Sequence, residues 1–128
     1  MASTLQEAVD AFYAAGNLMF KGDISGMEAI LSAADDISDM GPTGAIHRGR
    51  QAVMAEFAKE SAMGFSGTLV AVDRQIVETP EMGFVVCREQ GAIAPIDGES
   101  LPVDIRSTTI FRREGGHWRV VHHHTDRF

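Results

Sequence analysis

The sequence predicts one α+β domain in which three helices come first and a curved antiparallel sheet follows. Up to Gly64 the apolar residues recur at steps of three and four, and after it they alternate with polar residues. The chain has 128 residues, of which 45% are hydrophobic and 23% charged, which is typical of a single globular domain spanning residues 1–128. Helices gathered before strands are typical of an α+β fold whose helices cover one face of the sheet.

Three helices are predicted before Gly64. The first runs from a capping box formed by Thr4 and Glu7 to Gly22. A short second helix follows a cap at Asp23, and the third runs from about residue 50 to Gly64. Between the second and third helices, residues 34–40 are predicted as one brief strand, followed by a loop rich in glycine and proline.

Four longer strands are predicted after Gly64, joined by short turns. Pro80 and Gly83 mark the first turn, Asp97-Gly98 is a strong hairpin signal, and Gly115-Gly116 marks the last turn. Consecutive strands with such short connections indicate an antiparallel meander. The predicted strands are residues 67–78, 82–95, 101–113 and 117–126.

The charge and cysteine content exclude several classes of protein. The net charge of −7 is scattered and includes no basic stripe, so neither nucleic acid nor an anionic membrane is an expected partner. The single Cys87 excludes an internal disulfide and favours a reducing compartment. Glu7 and Asp10 interrupt residues 1–20, so we expect no secretory signal there, and a cytoplasmic protein is the expectation.

The last predicted strand, from Trp118 to Asp126, carries three consecutive histidines. Strict alternation places Trp118 and Val120 on one face together with His122 and His124. His123 then lies on the opposite face, with Arg119, Val121 and Thr125.

The segment 111–124 resembles the closing hairpin of NTF2-like proteins, which include SnoaL-like proteins, ketosteroid isomerase-like proteins and the association domain of calmodulin-dependent kinase. It has a charged strand end, a Gly-rich turn, Trp118, apolar alternation, and His124 two residues after His122. Residues 21–36 and 49–57 are similar to the family's second and third helices. The resemblance implies a cone of curved sheet around the helices, a pocket at the wide end, and a homodimer formed through the outer face of the sheet.

The resemblance also suggests where a catalytic acid or base would stand. Gly41 falls at the family's isomerase base, but Asp39 lies two residues earlier on the same strand face and is the candidate substitute. Ala15 falls at the family's helical tyrosine, whereas Tyr13 is predicted on another side of the helix, as a group at the pocket rim with His47. A solvated Asp39 near a loop is the alternative.

Three further positions correspond to arginines in the pocket of the kinase association domain. Arg88 retains the arginine, whereas Thr108 and Thr125 replace it. Arg88 is therefore a candidate anchor for a ligand carboxylate, with an internal salt bridge as the alternative. All three are predicted as ligand-binding residues.

The histidines raise the question of a metal site. His122 and His124 could supply two ligands from one strand face and His47 a third, but no Cys or carboxylate completes the set, so no metal is predicted. His123, directed to the pocket, is the best candidate for proton transfer because histidine titrates near neutral pH. No nucleotide fingerprint appears and no cofactor is predicted.

Two functions remain open from the sequence. The first is a pocket protein that binds or transforms a small apolar molecule with a polar handle, using Asp39 or His123 for acid–base chemistry of the isomerase or hydratase type. The second is a non-catalytic module for homodimerisation or ligand sensing.

Overall fold

A computed structural model describes residues 4–127 and confirms an α+β fold. The elements, in chain order, are α1 (Leu5–Phe20), α2 (Ser25–Ile30), β1 (Ser38–Met40), β2 (Ile46–Arg48), α3 (Arg50–Met63), β3 (Ser66–Glu78), β4 (Met82–Ala94), β5 (Leu101–Glu114) and β6 (His117–Asp126). Within the described residues, no helix has the length and apolar character needed to cross a bilayer.

Local signals set the helix ends much as the sequence predicts. The Thr4 hydroxyl accepts a hydrogen bond from the Glu7 amide at 3.1 Å, which caps α1. The predicted cap at Asp23 is wrong by one residue, because Ile24 is the N-cap of α2 and has no side-chain capping hydrogen bond. Asp23 instead accepts hydrogen bonds from both the amide and the hydroxyl of Ser25. Gly64 ends α3 in the left-handed conformation, with φ of 66°, which glycine adopts without steric cost.

The six strands form one sheet in the order β2-β1-β6-β5-β4-β3. Strands β3 to β6 form the antiparallel meander that the turns predict. The prediction of a wholly antiparallel sheet is wrong in one place, because β1 runs parallel to β6. The loop predicted after β1 is also wrong in part, since it contains β2, which pairs with β1.

A β-bulge in β6 changes which residues share a face. Ile110 pairs with His122 whereas Phe111 pairs with Val120, so Val121 is an extra residue opposite the β5 strand. The prediction that Trp118 and Val120 share a face with His122 and His124 is therefore wrong. Trp118 and Val120 face the helices, as His123 and Thr125 do, and His122 and His124 face outward.

The core lies between the inner face of the sheet and the three helices. Phe12 of α1 packs edge-on against Phe111 of β5, with ring centroids 6.2 Å apart. Trp118 is 2% exposed, so it belongs to this core and not to the outer face. The largest fully buried side chains are Trp118, Phe111, Leu5, Met27, Ile37, Val9, Val53, Val85 and Val120.

Candidate functional site

A row of four polar residues crosses the inner face of the sheet. Thr109 of β5 pairs with His123 of β6, His123 with Asp39 of β1, and Asp39 with His47 of β2. Paired residues of neighbouring strands project to the same side of a sheet. The β6 bulge and the parallel β1 strand thus bring four polar side chains, distant in the sequence, into one line.

This row borders a cavity of about 870 Å³ between the sheet and the helices. Asp39, His47 and His123 line it together with Thr125 and Tyr13, so five of the predicted site residues lie in its wall. The remaining wall combines apolar side chains with acidic ones. Its aromatic and methionine members include Phe12, Phe20, Phe57, Phe65, Met19 and Met27. Such a partly open, mostly apolar cavity with a few converging polar groups is typical of small-molecule sites.

Glu89 of β4 organises the polar end of the cavity. Its carboxylate accepts a hydrogen bond from the Tyr13 hydroxyl at 2.8 Å, and its Oε2 lies 3.3 Å from Nε2 of His123. The other ring nitrogen of His123, Nδ1, lies 2.8 Å from the Thr109 hydroxyl. The Phe12 ring packs edge-on against the imidazole, with centroids 5.0 Å apart. These contacts on both ring nitrogens and on the ring itself hold His123 in one orientation.

The pair formed by the largely shielded His123 and the buried Glu89 favours its ionised form. Burial by itself lowers the pKa of His123, but the charge and hydrogen bond of Glu89 outweigh it and raise that pKa above its ordinary value. Burial likewise acts to raise the pKa of Glu89, but the His123 charge prevails and holds the Glu89 pKa below its usual range. We therefore describe the pair as an imidazolium beside a carboxylate.

Tyr13 lies deeper than predicted. The sequence predicts it at the pocket rim, whereas its hydroxyl also approaches Cys87 Sγ at 3.2 Å and Ser107 Oγ at 3.3 Å. Burial and the charge of Glu89 raise the pKa of Tyr13 far above its ordinary value, so the phenol keeps its proton. Burial also raises the pKa of Cys87, which makes its thiol a poor nucleophile.

Among residues 4–127, Asp39 is the residue of the site whose carboxylate lacks a hydrogen-bond partner on one oxygen. It is only 7% exposed, and in the part of the chain that the structure describes its Oδ1 atom has no hydrogen-bond partner. Burial raises the pKa of Asp39, while the charges of His123 and His47 oppose that effect. A buried carboxylate oxygen without a donor is costly in free energy and is rare in folded proteins. The alternative of a solvated Asp39 is therefore wrong.

Glu60 of α3 is a second carboxyl group on the cavity wall, and sequence reasoning missed it. Burial, together with the charges of Asp39 and Glu56, raises the pKa of Glu60 to about 7. Glu60 follows Phe57 by three positions and Val53 by seven, so it shares the inward face of α3. That spacing was the signal available in the sequence.

Arg88 does not face the cavity. The buried residues of β4 are Gly83, Val85, Cys87 and Glu89. Arg88 therefore projects from the outer face, where it pairs with Asp104 at 3.1 Å. The expectation that Arg88 lies in a common cavity with Asp39 and His123 is therefore wrong, and Glu89 occupies the inward position. The same alternation was visible in the sequence, because Glu89 follows Val85 and Cys87 at steps of two.

Thr108 also lies outside the cavity, because it alternates with the buried Ser107 and Thr109. It pairs with His124 and borders a shallow groove on the outer face of the sheet. His122 and His124 project to this outer face, away from His47 in the cavity wall. Among residues 4–127, no three His, Cys, Asp or Glu side chains converge as metal ligands would.

The fold is of the α+β class, with a cavity between its sheet and its helices. Comparison with known families gives a more specific result: the model of the SnoaL-like domain matches residues 5–125. The chain therefore belongs to the SnoaL-like family, within the NTF2-like superfamily whose closing hairpin its last two strands resemble.

Solved structures of the same fold carry several different descriptions. One from Thiobacillus denitrificans, provisionally assigned as a calcium/calmodulin-dependent protein kinase type II association domain, is 27% identical, with a TM-score of 0.78 and coverage of 98% of this chain and 95% of that one. A provisionally assigned dehydratase of the NTF2-like family from Streptomyces avermitilis is 21% identical, with a TM-score of 0.82 and coverage of 97% and 94%. A ketosteroid isomerase-like protein from Erwinia carotovora atroseptica is 20% identical, with a TM-score of 0.77 and coverage of 94% and 91%. A search of the curated proteins finds no match.

Proposed function

We propose that the cavity binds a small, mostly apolar molecule with a polar handle and catalyses proton transfer on it, as in isomerase or dehydratase chemistry. Asp39 is the proton acceptor in this proposal. The observation that carries it is the buried Asp39 carboxylate, which faces the cavity with one oxygen unpartnered. A carboxylate held away from water and from donors is a stronger base than one in solution, and proteins keep such costly groups chiefly at functional sites.

The neighbouring groups suit the same role. His123 is paired with Asp39 across the strands, and its positive charge favours the ionised form of Asp39, the form that accepts a proton. Glu60, with a pKa of about 7, is protonated for part of the time near neutral pH and can return a proton to the substrate. Both nitrogens of His123 are already engaged, so we assign His123 to positioning and charge balance ahead of direct transfer.

Proton abstraction can be tested without knowing the natural substrate. A nitrobenzisoxazole is a flat, neutral, apolar probe whose ring C–H proton passes to a base. The C–H electron pair then forms a nitrile and the N–O bond breaks, which releases a coloured cyanophenolate. We expect the protein to accelerate this elimination, and we expect Asp39→Asn to lower kcat/KM by about 100-fold or more, the usual contribution of a general base.

The matched control is Asp73→Asn. Asp73 is exposed and has φ of 55°, a conformation that asparagine adopts as readily as aspartate. We expect this variant to retain the parent rate. If Asp39→Asn is folded by its thermal transition and retains the rate as well, Asp39 is not the base.

We also propose that the outer face of the sheet binds a second copy of this chain. Phe84, Val86 and Ile110 border a shallow groove of about 400 Å³ on this face, and Val86 is 40% exposed. The ion pairs Arg88–Asp104 and Arg106–Asp126 beside it bring equal numbers of cations and anions. A face with an apolar centre and balanced charges can pair with its own copy around a twofold axis.

The cytoplasm, where Cys87 would stay reduced, is the proposed compartment.

Light scattering tests this interface. We expect a dimer for the parent chain and a monomer for Val86→Glu, because the charge would be buried without a partner. Leu18→Glu is the control, since Leu18 is a similarly exposed apolar residue on α1, outside the sheet. A parent chain that is monomeric at high micromolar concentration would contradict the proposal and favour a solitary pocket protein.

A further inference from the structure

The cavity is lined by more acidic side chains than basic ones. Five acidic residues border it, of which Asp104 turns its carboxylate to Arg88 on the outer face. The only fixed cations among its described lining residues are Lys59 and Arg127, both exposed to solvent. The lining groups that titrate or carry charge are Tyr13, Asp39, His47, Glu56, Lys59, Glu60, Glu89, Asp104, His123 and Arg127.

Three of these carboxylates already lie beside a basic side chain. Glu89 has His123, Asp104 has Arg88, and Glu56 lies with its Oε2 atom 3.6 Å from Nε2 of His47. Asp39 and Glu60 remain. Neither forms a salt bridge among the described residues. Asp39 is only 7% exposed, and its Oδ1 atom has no hydrogen-bond partner among those residues.

We propose that the polar handle of the ligand is a protonated amine, bound by Glu60 and Asp39, with its apolar body against the aromatic wall. This inference rests on the proposed binding of a small molecule, and not on the proton-transfer step, and it narrows the ligand class. An ammonium group offers three donors and a positive charge. It would supply the missing hydrogen bond of Asp39 and add positive charge beside Asp39 and Glu60, where the charge of His123 is already shared with Glu89. Phe12 and Phe57 line the same cavity and would contact the apolar body.

The same charges disfavour an acidic ligand. A carboxylate entering the cavity would approach two carboxyl groups that form no salt bridge among the described residues, and Arg88, the one predicted anchor for it, is on the outer face. A neutral alcohol would satisfy the Asp39 oxygen but would not balance its charge. The structure thus ranks the three head groups as amine first, alcohol second and carboxylate last.

Titration calorimetry with three matched probes tests this ranking. Phenylbutylamine, phenylbutanol and phenylpentanoate share a phenyl ring and a four-carbon tether, and they differ in the head group at its end. At about pH 8 we expect the amine to bind at least about tenfold more tightly than the alcohol, and the carboxylate to bind more weakly than the alcohol. Toward about pH 6 the amine stays charged while Glu60 takes up a proton, so the affinity for the amine should fall and that for the alcohol should stay constant.

Two variants locate the effect. Glu60→Gln should reduce the preference for the amine to a few-fold and remove most of its pH dependence, with little change in binding of the alcohol. Glu99→Gln, which changes an exposed glutamate in the loop between β4 and β5, should leave all three affinities unchanged. Equal binding of the carboxylate and the amine, no binding of the amine, or an amine preference that survives Glu60→Gln would each overturn the inference.

The elimination assay separates the two proposals. If that reaction depends on Asp39 while the amine shows no preference, the proton-transfer function stands and the amine inference fails. If the amine binds as expected but no Asp39-dependent elimination occurs, the cavity is a binding site without the proposed chemistry. The amine should also inhibit the elimination competitively, because both probes would occupy the same cavity.

Discussion

Glu89→Gln should lower the free energy of unfolding by about 3 kcal/mol, since removing one partner of a buried ion pair leaves the other charge uncompensated. Glutamine keeps an acceptor for the Tyr13 hydroxyl, so the change removes mainly the charge opposite His123. Without that charge, only the charges of Asp39 and Glu60 oppose the effect of burial, so the pKa of His123 should fall from its value in the parent chain. Urea unfolding measures the first effect and an NMR titration of the imidazole measures the second.

The sign of the pH dependence follows from the two shifts. The Glu89 pKa is lowered on folding, so its contribution is present above its unfolded pKa, near 4.5, and is lost as the pH falls through the folded value. The His123 pKa is raised, so its contribution is present below its unfolded pKa, near 6.5, and is lost as the pH rises through the folded value. The loss of stability in Glu89→Gln should therefore be greatest between about pH 4.5 and 6.5.

Asp104→Asn is the matched control for this variant. It also removes a carboxylate from an ion pair with a β4 residue, but the pair with Arg88 is on the surface, with both side chains more than a third exposed. Exposed pairs contribute about 0–1 kcal/mol, so this variant should be nearly as stable as the parent. Equal losses in the two variants would mean that the His123–Glu89 pair is not buried as described.

Glu60→Gln is expected to stabilise the protein at alkaline pH. The Glu60 pKa rises from 4.5 to about 7 on folding, so the favourable contribution is complete below about pH 4.5 and is lost as the pH rises through about 7. Above that value the parent chain must keep an ionised carboxylate beside Asp39 and Glu56. A pKa shift of this size corresponds to a loss of roughly 3 kcal/mol in the free energy of unfolding. The neutral amide avoids this cost.

Urea unfolding at two pH values tests the effect. At about pH 8 the Glu60→Gln variant should be the more stable protein by that amount, and at about pH 4 the two should be nearly equal. Glu99→Gln should show no such change between the two pH values. A Glu60→Gln difference that is the same at both pH values would show that the Glu60 pKa is not raised.

The sequence predicts the elements of this fold well because their ends depend on local chemistry. Gly64 ends α3 by its left-handed conformation, and Asp97-Gly98 and Gly115-Gly116 form the turns between long strands. The placement of Asp39 and His123 in one cavity was also predictable, from alternation together with the resemblance to NTF2-like proteins. The helix ends and turns depend on patterns of a few residues, and the shared cavity depends on a pattern that spans the whole chain.

The wrong predictions have two causes. One is strand pairing between distant residues, and the other is an assignment of Arg88 from a related domain where the alternation of buried residues indicates the opposite face. Nothing in residues 45–48 alone indicates that Ile46–Arg48 would form β2 beside β1. Arg88 was assigned inward because a related domain carries an arginine there, although Val85, Cys87 and Glu89 already define the inner face. Once that face is assigned correctly, Glu89 emerges as the residue that holds both Tyr13 and His123.

The extra residue Val121 acts as a phase shift in an otherwise regular alternation. Before it, β6 contributes Trp118 and Val120 to the core, and after it the same face carries His123 and Thr125 to the cavity. The inner face of β6 thereby contributes to both the core and the cavity, while His122 and His124 are directed to the outer face. In a chain one residue shorter at this point, the outer histidines would enter the cavity and His123 would leave it. The chemistry of the site therefore depends on the number of residues between Trp118 and His123 as much as on their identity.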